Sequence, residues 1–224
     1  MERLHRITLL LGQDAVSKLQ KSTVMVVGCG AVGSFAIEAL ARSGVGHLIL
    51  VDFDKVEITN INRQIFALDS TVGKPKVEIA AQRIKDINPN IKVDAFNIFF
   101  DENTKLAIKP DFVIDAIDSV PSKIALYKWC DTHNIPFISS MGAARKTDLT
   151  KIKIDKISKT TVCPLASKIR HFVRDLGIKD FPVVYSTESA TPQINAGREF
   201  GSVVTVTGTF GLMLADFVIK KLIS

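Results

Sequence analysis

A site for nucleotide phosphates is predicted by three glycines in the spacing G-x-G-x-x-G, namely Gly28, Gly30 and Gly33. They follow the apolar run 24–27, which is typical of a strand that is covered on both faces of a parallel sheet. In such a unit the first glycine permits a tight turn, the second lets the backbone approach a phosphate, and the third lets a helix pack on the strand. That helix, expected over residues 31–43, directs its free N–H groups at the phosphate.

Asp52 ends the second predicted strand, where a carboxylate binds the ribose of a nucleotide. The glycines and Asp52 fit a nicotinamide oxidoreductase as well as an ATP-dependent enzyme. A triphosphate carries more charge than a pyrophosphate and a metal besides, so it calls for cations and a further carboxylate. Asp54, Arg63 and Lys76 favour ATP with Mg²⁺ on that ground. Lys76 also falls in the first turn of a predicted helix, where a cation is unfavourable unless an anion lies nearby.

A carboxylate pair, Asp115 and Asp118, follows the predicted buried strand 111–114. The pair therefore lies at the carboxyl end of a parallel strand, the edge at which open α/β sheets bind ligands. A lone aspartate at a strand end can equally be a helix cap, and the residues alone leave that alternative open for Asp118.

The alternation of apolar strands and amphipathic helices predicts an α/β fold. We expect a Rossmann-like, mostly parallel sheet with helices on both faces, elaborated by antiparallel strands and a C-terminal helix. The single domain is expected to have three parts: an N-terminal helical arm (1–22), a nucleotide-binding core (23–140) and a substrate-side and dimerisation elaboration (141–224). Further helices are predicted at 13–21, 74–87, 101–108, 122–133, 164–176 and 202–222, strands at 91–96, 135–139, 151–154 and 182–185, and a loop at 187–201.

Cysteine content and hydropathy argue against several classes of protein. Three widely spaced cysteines with no C-x-x-C pair argue against a disulfide framework and against a four-cysteine zinc site. The N-terminus lacks the apolar core of a signal peptide, so we expect a cytoplasmic protein. The apolar stretch 202–222 is long enough to span a membrane, but Asp216 and several glycines favour a helix buried at a core or dimer interface.

The formal charge of +6 is concentrated in one segment, because residues 141–180 hold ten Lys or Arg against four Asp. Such a segment is either an ordinary solvated face or the footprint of a polyanion such as RNA. No signature of an RNA-binding module accompanies it, so the charge alone leaves both interpretations open.

The runs N-I-N-R-Q at 60–64 and D-A-I-D-S at 115–119 resemble the ThiF/HesA/MoeB-type adenylating enzymes, which are related to ubiquitin-activating enzymes. The resemblance implies that ATP and Mg²⁺ are the cofactors. It further implies three catalytic residues: Asp118, which binds Mg²⁺, and Arg63 and Lys76, which contact the phosphates.

The same resemblance assigns the remaining nucleotide contacts. It implies that Asp52 binds the ribose and that Asn60 and Gln64 position the phosphate chain. Asp54 is expected to support the loop or the ribose. Arg6 precedes the first predicted helix, and in this superfamily an arginine at that place reaches the nucleotide site of the partner subunit in a homodimer.

Motifs in the C-terminal half indicate which kind of adenylating enzyme the chain resembles. The runs S-T-E at 186–188, T-V-T-G-T-F-G at 205–211 and P-L-A at 164–166 resemble the tRNA threonylcarbamoyladenosine dehydratases. The resemblance to these enzymes implies an ATP-dependent dehydration. Its substrate would be N6-threonylcarbamoyladenosine next to the anticodon of tRNA, which would be closed into a ring. The route is adenylation of the threonyl carboxylate with release of AMP and pyrophosphate. The chain is shorter than that family near Asp180, where a loop is trimmed.

Other functions stay open at this point. One is an adenylyltransferase that activates the C-terminus of a small sulfur-carrier or ubiquitin-like protein, and another is a non-catalytic nucleotide-sensing or tRNA-binding module. A sulfur-transfer partner protein is also left open. Cys163 directly precedes a predicted helix, a position that favours a reactive thiol, although a cysteine in apolar surroundings is more often inert.

Overall fold

The computed structural model describes residues 2–193 and 200–224. The helices of the described residues are α1 (His5–Leu11), α2 (Gln13–Lys21), α3 (Gly33–Ser43), α4 (Lys76–Ile87), α5 (Val120–Thr132), α6 (Pro164–Asp175) and α7 (Val204–Ile223). The strands are β1 (Thr23–Val27), β2 (His47–Val51), β3 (Lys92–Phe96), β4 (Phe112–Asp115), β5 (Phe137–Ser140), β6 (Ile152–Lys156) and β7 (Pro182–Ser186). Short 3-10 turns connect some of these elements, for example Ile58–Asn60.

The strands form one sheet in the order β3-β2-β1-β4-β5-β7-β6. Neighbouring strands run parallel, except that β6 pairs antiparallel with β7. In a sheet of this kind the strand order reverses between β1 and β4, and ligands bind beside the carboxyl ends of the strands at that point. The predicted fold class is therefore confirmed, and its antiparallel part is the β6–β7 pair at one end of the sheet.

Each central strand sends alternate side chains into two apolar layers. From β1, Val24 and Val26 enter one layer, while Met25 and Val27 enter the other. The first layer is completed by α3, α4 and α7, and the second by α5 and α6. Helices thus cover both faces of the sheet, which explains why the central strands are almost wholly apolar.

Helix α7 approaches α3 closely because glycines face it. A Cβ atom at Gly211 would lie 2.3 Å from the carbonyl oxygen of Val32, and one at Gly208 would lie 3.2 Å from the ring of Phe35. This close packing confirms that the apolar C-terminal stretch is a buried helix. Among the residues that the structure describes, no helix has both the length and the hydropathy to cross a membrane.

The helix predicted over 101–108 is wrong, because these residues form a turn followed by chain without regular secondary structure. The side chain of Thr104 accepts the N–H of Asp101 and donates to its carboxylate, at 2.9 and 3.2 Å, and such local bonds compete with a helix. Beyond the turn, Leu106 and Ile108 are partly buried while their neighbours are exposed. This period of two is that of an extended chain.

The N-terminal arm holds one helix more than predicted. Helix α2 begins and ends at the predicted residues, but α1 precedes it and is separated from it by Gly12, whose φ is +84°. On α1, Leu9 and Leu10 are 68% and 81% exposed. Of the predicted loop 187–201, residues 194–199 lie outside the described part of the chain.

Candidate active site

The glycine turn after β1 is shaped by two close approaches of backbone. Gly28 has φ +97°, and a Cβ there would lie 2.6 Å from the carbonyl oxygen of Ala116. A Cβ at Gly33 would lie 1.7 Å from the carbonyl oxygen of Gly28. Gly30 differs, because the nearest atom to its added Cβ would be Gln64 Nε2, at 3.8 Å. Gly28 and Gly33 are therefore required by packing, whereas Gly30 leaves its surface open to a ligand.

Asp52 links the glycine turn to the end of β2. Its Oδ2 accepts the N–H of Cys29 at 2.6 Å, and its Oδ1 accepts the N–H of Asp54 at 2.8 Å. Burial raises the pKa of Asp52, and the two backbone N–H groups offset this rise only in part. Each carboxylate oxygen can accept a second hydrogen bond, so Asp52 retains acceptor capacity for the predicted contact with a ribose hydroxyl.

Lys76 and Asp54 form an ion pair beside the turn. Lys76 Nζ lies 2.7 Å from Asp54 Oδ2, and the Lys76 N–H donates to the Asp54 carbonyl oxygen at 2.9 Å. The anion that a cation needs in the first turn of α4 is thus supplied within the chain. An ammonium group has three donors, so Lys76 retains two for a phosphate.

The loop that follows β2 places Arg63 and Gln64. Arg63 Nη1 donates to the Thr59 carbonyl oxygen at 2.6 Å and to Asn62 Oδ1 at 2.9 Å. Asn60 is buried, and its carbonyl oxygen accepts the backbone N–H groups of Arg63 and Gln64. Gln64 Nε2 also lies near Gly30, so of the predicted phosphate contacts in this loop the structure brings Gln64 to the glycine turn.

Asp118 lies on the turn that follows β4. Asp115, at the end of β4, accepts the N–H of Ile117 on Oδ1 at 3.0 Å, and the Ala116 N–H donates to the Val27 carbonyl oxygen at 2.8 Å. The Asp118 carboxylate is exposed and makes neither a hydrogen bond nor an ion pair with any described residue.

This arrangement fits a magnesium ion that arrives with a nucleotide. In the described part of the chain no three His, Cys, Asp or Glu side chains cluster as a metal cage. Mg²⁺ commonly uses one or two carboxylates together with phosphates and waters, and the free carboxylate of Asp118 suits that role.

Comparison with known proteins identifies the family of the chain. The sequence matches the ThiF family over residues 3–224. The chain belongs to the ThiF family. Among its relatives is the tRNA threonylcarbamoyladenosine dehydratase of Bacillus subtilis, which is 49% identical over 193 residues, or 84% of this chain and 76% of that protein.

Solved structures extend the likeness to the C-terminal half of this ThiF-family chain. The tRNA N6-threonylcarbamoyladenosine dehydratase of Escherichia coli in complex with AMP has a TM-score of 0.93 and 37% identity, covering 99% of this chain and 94% of that one. The same enzyme in complex with ATP has a TM-score of 0.92 and 37% identity, covering 99% and 93%.

Arg6 is separate from the other predicted site residues of the ThiF-family chain. It is exposed on α1 and forms no hydrogen bond or ion pair with the residues that the structure describes. The expected contact of Arg6 with the nucleotide of a partner subunit therefore stays a prediction.

The three cysteines are buried and free, as expected for a protein without disulfides. Cys29 lies in the glycine turn, where burial and the neighbouring Asp52 raise its thiol pKa well above the ordinary value. Cys163 is the residue before α6, and its side chain is only 3% exposed. A substrate could not reach Cys163 without a movement of the chain.

A buried polar network behind the Asp118 turn escaped the sequence analysis. Lys123, Tyr127 and Ser139 surround the Asp115 carboxylate, and all four residues are fully buried. The sequence does indicate that Lys123 is buried. It lies three, four and seven positions before Leu126, Tyr127 and Cys130, which places it on the same face of the helix as these residues. A lysine on the buried stripe of a helix needs an anionic partner.

Proposed function

We propose that this protein is an ATP-dependent tRNA threonylcarbamoyladenosine dehydratase. It adenylates the threonyl carboxylate of N6-threonylcarbamoyladenosine next to the anticodon and then closes a ring, with net loss of water. The likeness to dehydratases over nearly the whole chain, including the half outside the nucleotide site, is the observation that carries this proposal. The molybdopterin-synthase adenylyltransferases, by contrast, match 58–67% of this chain.

The reaction needs activation of a poor electrophile. A carboxylate oxygen attacks the α-phosphorus of ATP, and the bond to the β-phosphate oxygen breaks to release pyrophosphate. An atom within the threonylcarbamoyl group then attacks the acyl carbon, and AMP leaves. Because that nucleophile is already tethered, orientation supplies much of the acceleration and no protein nucleophile is required. The burial of all three cysteines agrees with this route.

The chain must therefore stabilise charge around the phosphates. Arg63 and Lys76 retain N–H donors for the phosphate chain, and such groups stabilise the charge that develops as pyrophosphate departs. Asp118 would hold Mg²⁺, which when bound neutralises phosphate charge. Asp52 would accept a ribose hydroxyl, and Gln64 would contact the phosphates above Gly30. Asp54 would orient Lys76 through their ion pair.

A homodimer fits the N-terminal arm. The exposed Leu9 and Leu10 form an apolar surface on α1, the helix that carries Arg6. Pairing of two subunits through this surface would cover the leucines and bring Arg6 toward the partner's nucleotide. The exposed cations Lys168 and Arg174 on α6 suit the phosphate backbone of tRNA. The site of action would be the cytoplasm, and a sulfur-transfer partner protein is not needed for the proposed steps.

The test is incubation of the purified protein with ATP, Mg²⁺ and tRNA that bears threonylcarbamoyladenosine, followed by nucleoside mass spectrometry. We expect the modified nucleoside to lose the mass of one water, with AMP formed in equal amount. Arg63→Ala should slow AMP formation at least about a hundredfold, as removal of a charge-stabilising group does. The matched control is Arg42→Ala, which removes an exposed arginine at the end of α3 that lies away from the glycine turn. Pyrophosphate exchange that appears only with a small carrier protein would overturn the proposal.

A further inference from the structure

A lysine ammonium group is sealed beneath the turn that carries Asp118. Lys123 Nζ lies 2.7 Å from Asp115 Oδ2, 2.8 Å from the Ser140 carbonyl oxygen and 3.3 Å from Ser139 Oγ. Tyr127 and Ser139 donate their hydroxyl protons to the same Asp115 oxygen, at 2.8 and 2.5 Å. Both members of the ion pair are completely buried, and every donor of the ammonium group has an acceptor.

Stabilisation of the fold does not by itself explain the presence of this buried ion pair. The desolvation of two charges offsets most of their attraction, and apolar residues of similar size often serve equally well or better. What the pair does provide is a fixed geometry, because charge-assisted hydrogen bonds are short and directional. The question is therefore which part of the protein this geometry holds in place.

The turn 116–118 lies between the buried pair and the glycine turn. Asp115 uses its other oxygen to accept the N–H of Ile117, so the carboxylate that Lys123 holds also orders the first part of the turn. On the opposite side the Ala116 carbonyl oxygen lies directly against Gly28. A shift of Asp115 would therefore move the turn relative to the phosphate-binding backbone.

We propose that Lys123 is a positioning residue. It locks Asp115 and thereby holds the turn so that the Asp118 carboxylate meets the metal of a metal–ATP complex at the glycine turn. Lys123 itself touches neither nucleotide nor metal. The inference rests on the proposed function only in taking Asp118 as the metal ligand.

Two variants, Lys123→Met and Tyr127→Phe, test the positioning role of Lys123 against the wild type. Arg83→Met is a remote control, because it removes an ion pair between α3 and α4. Asp118→Ala, which removes the carboxylate altogether, sets the size of a complete loss of the ligand. Binding of Mn²⁺ is measured by electron paramagnetic resonance with a non-hydrolysable ATP analogue. Calorimetry with AMP, which needs no metal, measures the nucleotide site, and hydrogen exchange without metal reports the Ile117 N–H.

Lys123→Met should weaken Mn²⁺ binding about 10- to 100-fold, the effect typical of residues that orient a metal ligand. AMP affinity should change less than about threefold, and the Ile117 N–H should exchange faster than in the wild type. If Lys123→Met does not fold, Tyr127→Phe decides, since it keeps both charges and removes one hydrogen bond to Asp115. We expect Tyr127→Phe to weaken Mn²⁺ binding about two- to tenfold, because one hydrogen bond contributes about 0.5–1.5 kcal/mol.

Mn²⁺ affinity within twofold of the wild type in folded Lys123→Met would overturn the inference. An equal loss in Arg83→Met, or unchanged Mn²⁺ binding in Asp118→Ala, would overturn it as well. Failure of the proposed function would look different, because the wild type would then bind Mn²⁺ with the ATP analogue but leave the tRNA nucleoside unchanged.

Discussion

Replacing Gly30 by alanine should separate phosphate binding from the folding of the glycine turn. A Cβ at Gly30 would meet only Gln64 Nε2, at the ordinary contact distance of 3.8 Å. A Cβ at Gly33 would overlap the Gly28 carbonyl oxygen at 1.7 Å, where backbone would have to move. The first substitution therefore fits the folded chain, and the second does not.

The expected magnitudes follow from this difference. Gly30→Ala should change the free energy of unfolding by less than about 1 kcal/mol, since alanine at a compatible glycine position is usually mildly stabilising. Its methyl group occupies the surface at which the phosphate chain should arrive, so ATP affinity should fall at least about tenfold, or about 1.4 kcal/mol. Gly33→Ala should lose about 3 kcal/mol or more of stability, the upper end of the usual cost of overpacking.

Urea unfolding measures the stabilities, and titration calorimetry with ATP and Mg²⁺ measures the affinities. Gly30→Ala with wild-type ATP affinity would show that the Gly30 backbone does not face the phosphates. Gly33→Ala with wild-type stability would contradict the packing of α3 on the turn.

Three further predictions concern other parts of the chain. Burial alone would raise the pKa of Glu38, but hydrogen bonds from Arg83 and Arg42 lower it below the ordinary 4.5. The ionised Glu38 carboxylate therefore stabilises the fold above pH 4.5, and this contribution is lost as the pH falls further. Glu38→Gln should flatten the acid limb of a curve of unfolding free energy against pH. An unaltered acid limb would contradict this role of Glu38. Cys163→Ala should keep AMP formation within about threefold of the wild type, because no protein nucleophile is needed; loss of activity in a folded variant would restore the thiol to the mechanism. If two subunits pair through α1 as proposed, Leu10→Asp should shift the protein from dimer to monomer in analytical ultracentrifugation and lower AMP formation. A dimer that persists in this variant would contradict the proposed interface.

Sequence reasoning succeeded where one local pattern decides the structure. Helix α2 is predicted at its observed bounds, because Val16 and Leu19 lie on one face of an amphipathic helix. The glycine spacing likewise predicted the turn after β1. In these stretches the local preference of the chain and its tertiary packing agree.

Prediction failed where the deciding partner is distant in sequence or the local signals conflict. Residues 101–108 have a composition that a helix accepts, but the Asp101–Thr104 turn and the burial of alternate residues oppose a helix there. The pairing of Lys76 with Asp54 joins residues 22 positions apart, and no periodicity reveals it. Lys123 was overlooked because a lysine in a helix ordinarily faces solvent, and only the fold brings Asp115 beneath it.

The position of β1 at the centre of the sheet has a consequence for how the protein is made. Its register joins Val24 to Leu48 of β2 on one side and to Phe112 of β4 on the other. The second partner is synthesised 88 residues after Val24, so one side of β1 stays unpaired for much of translation. Parallel pairings over such separations form slowly and leave apolar strand edges open to aggregation. We expect refolding to be slow and to yield less native protein as the concentration rises.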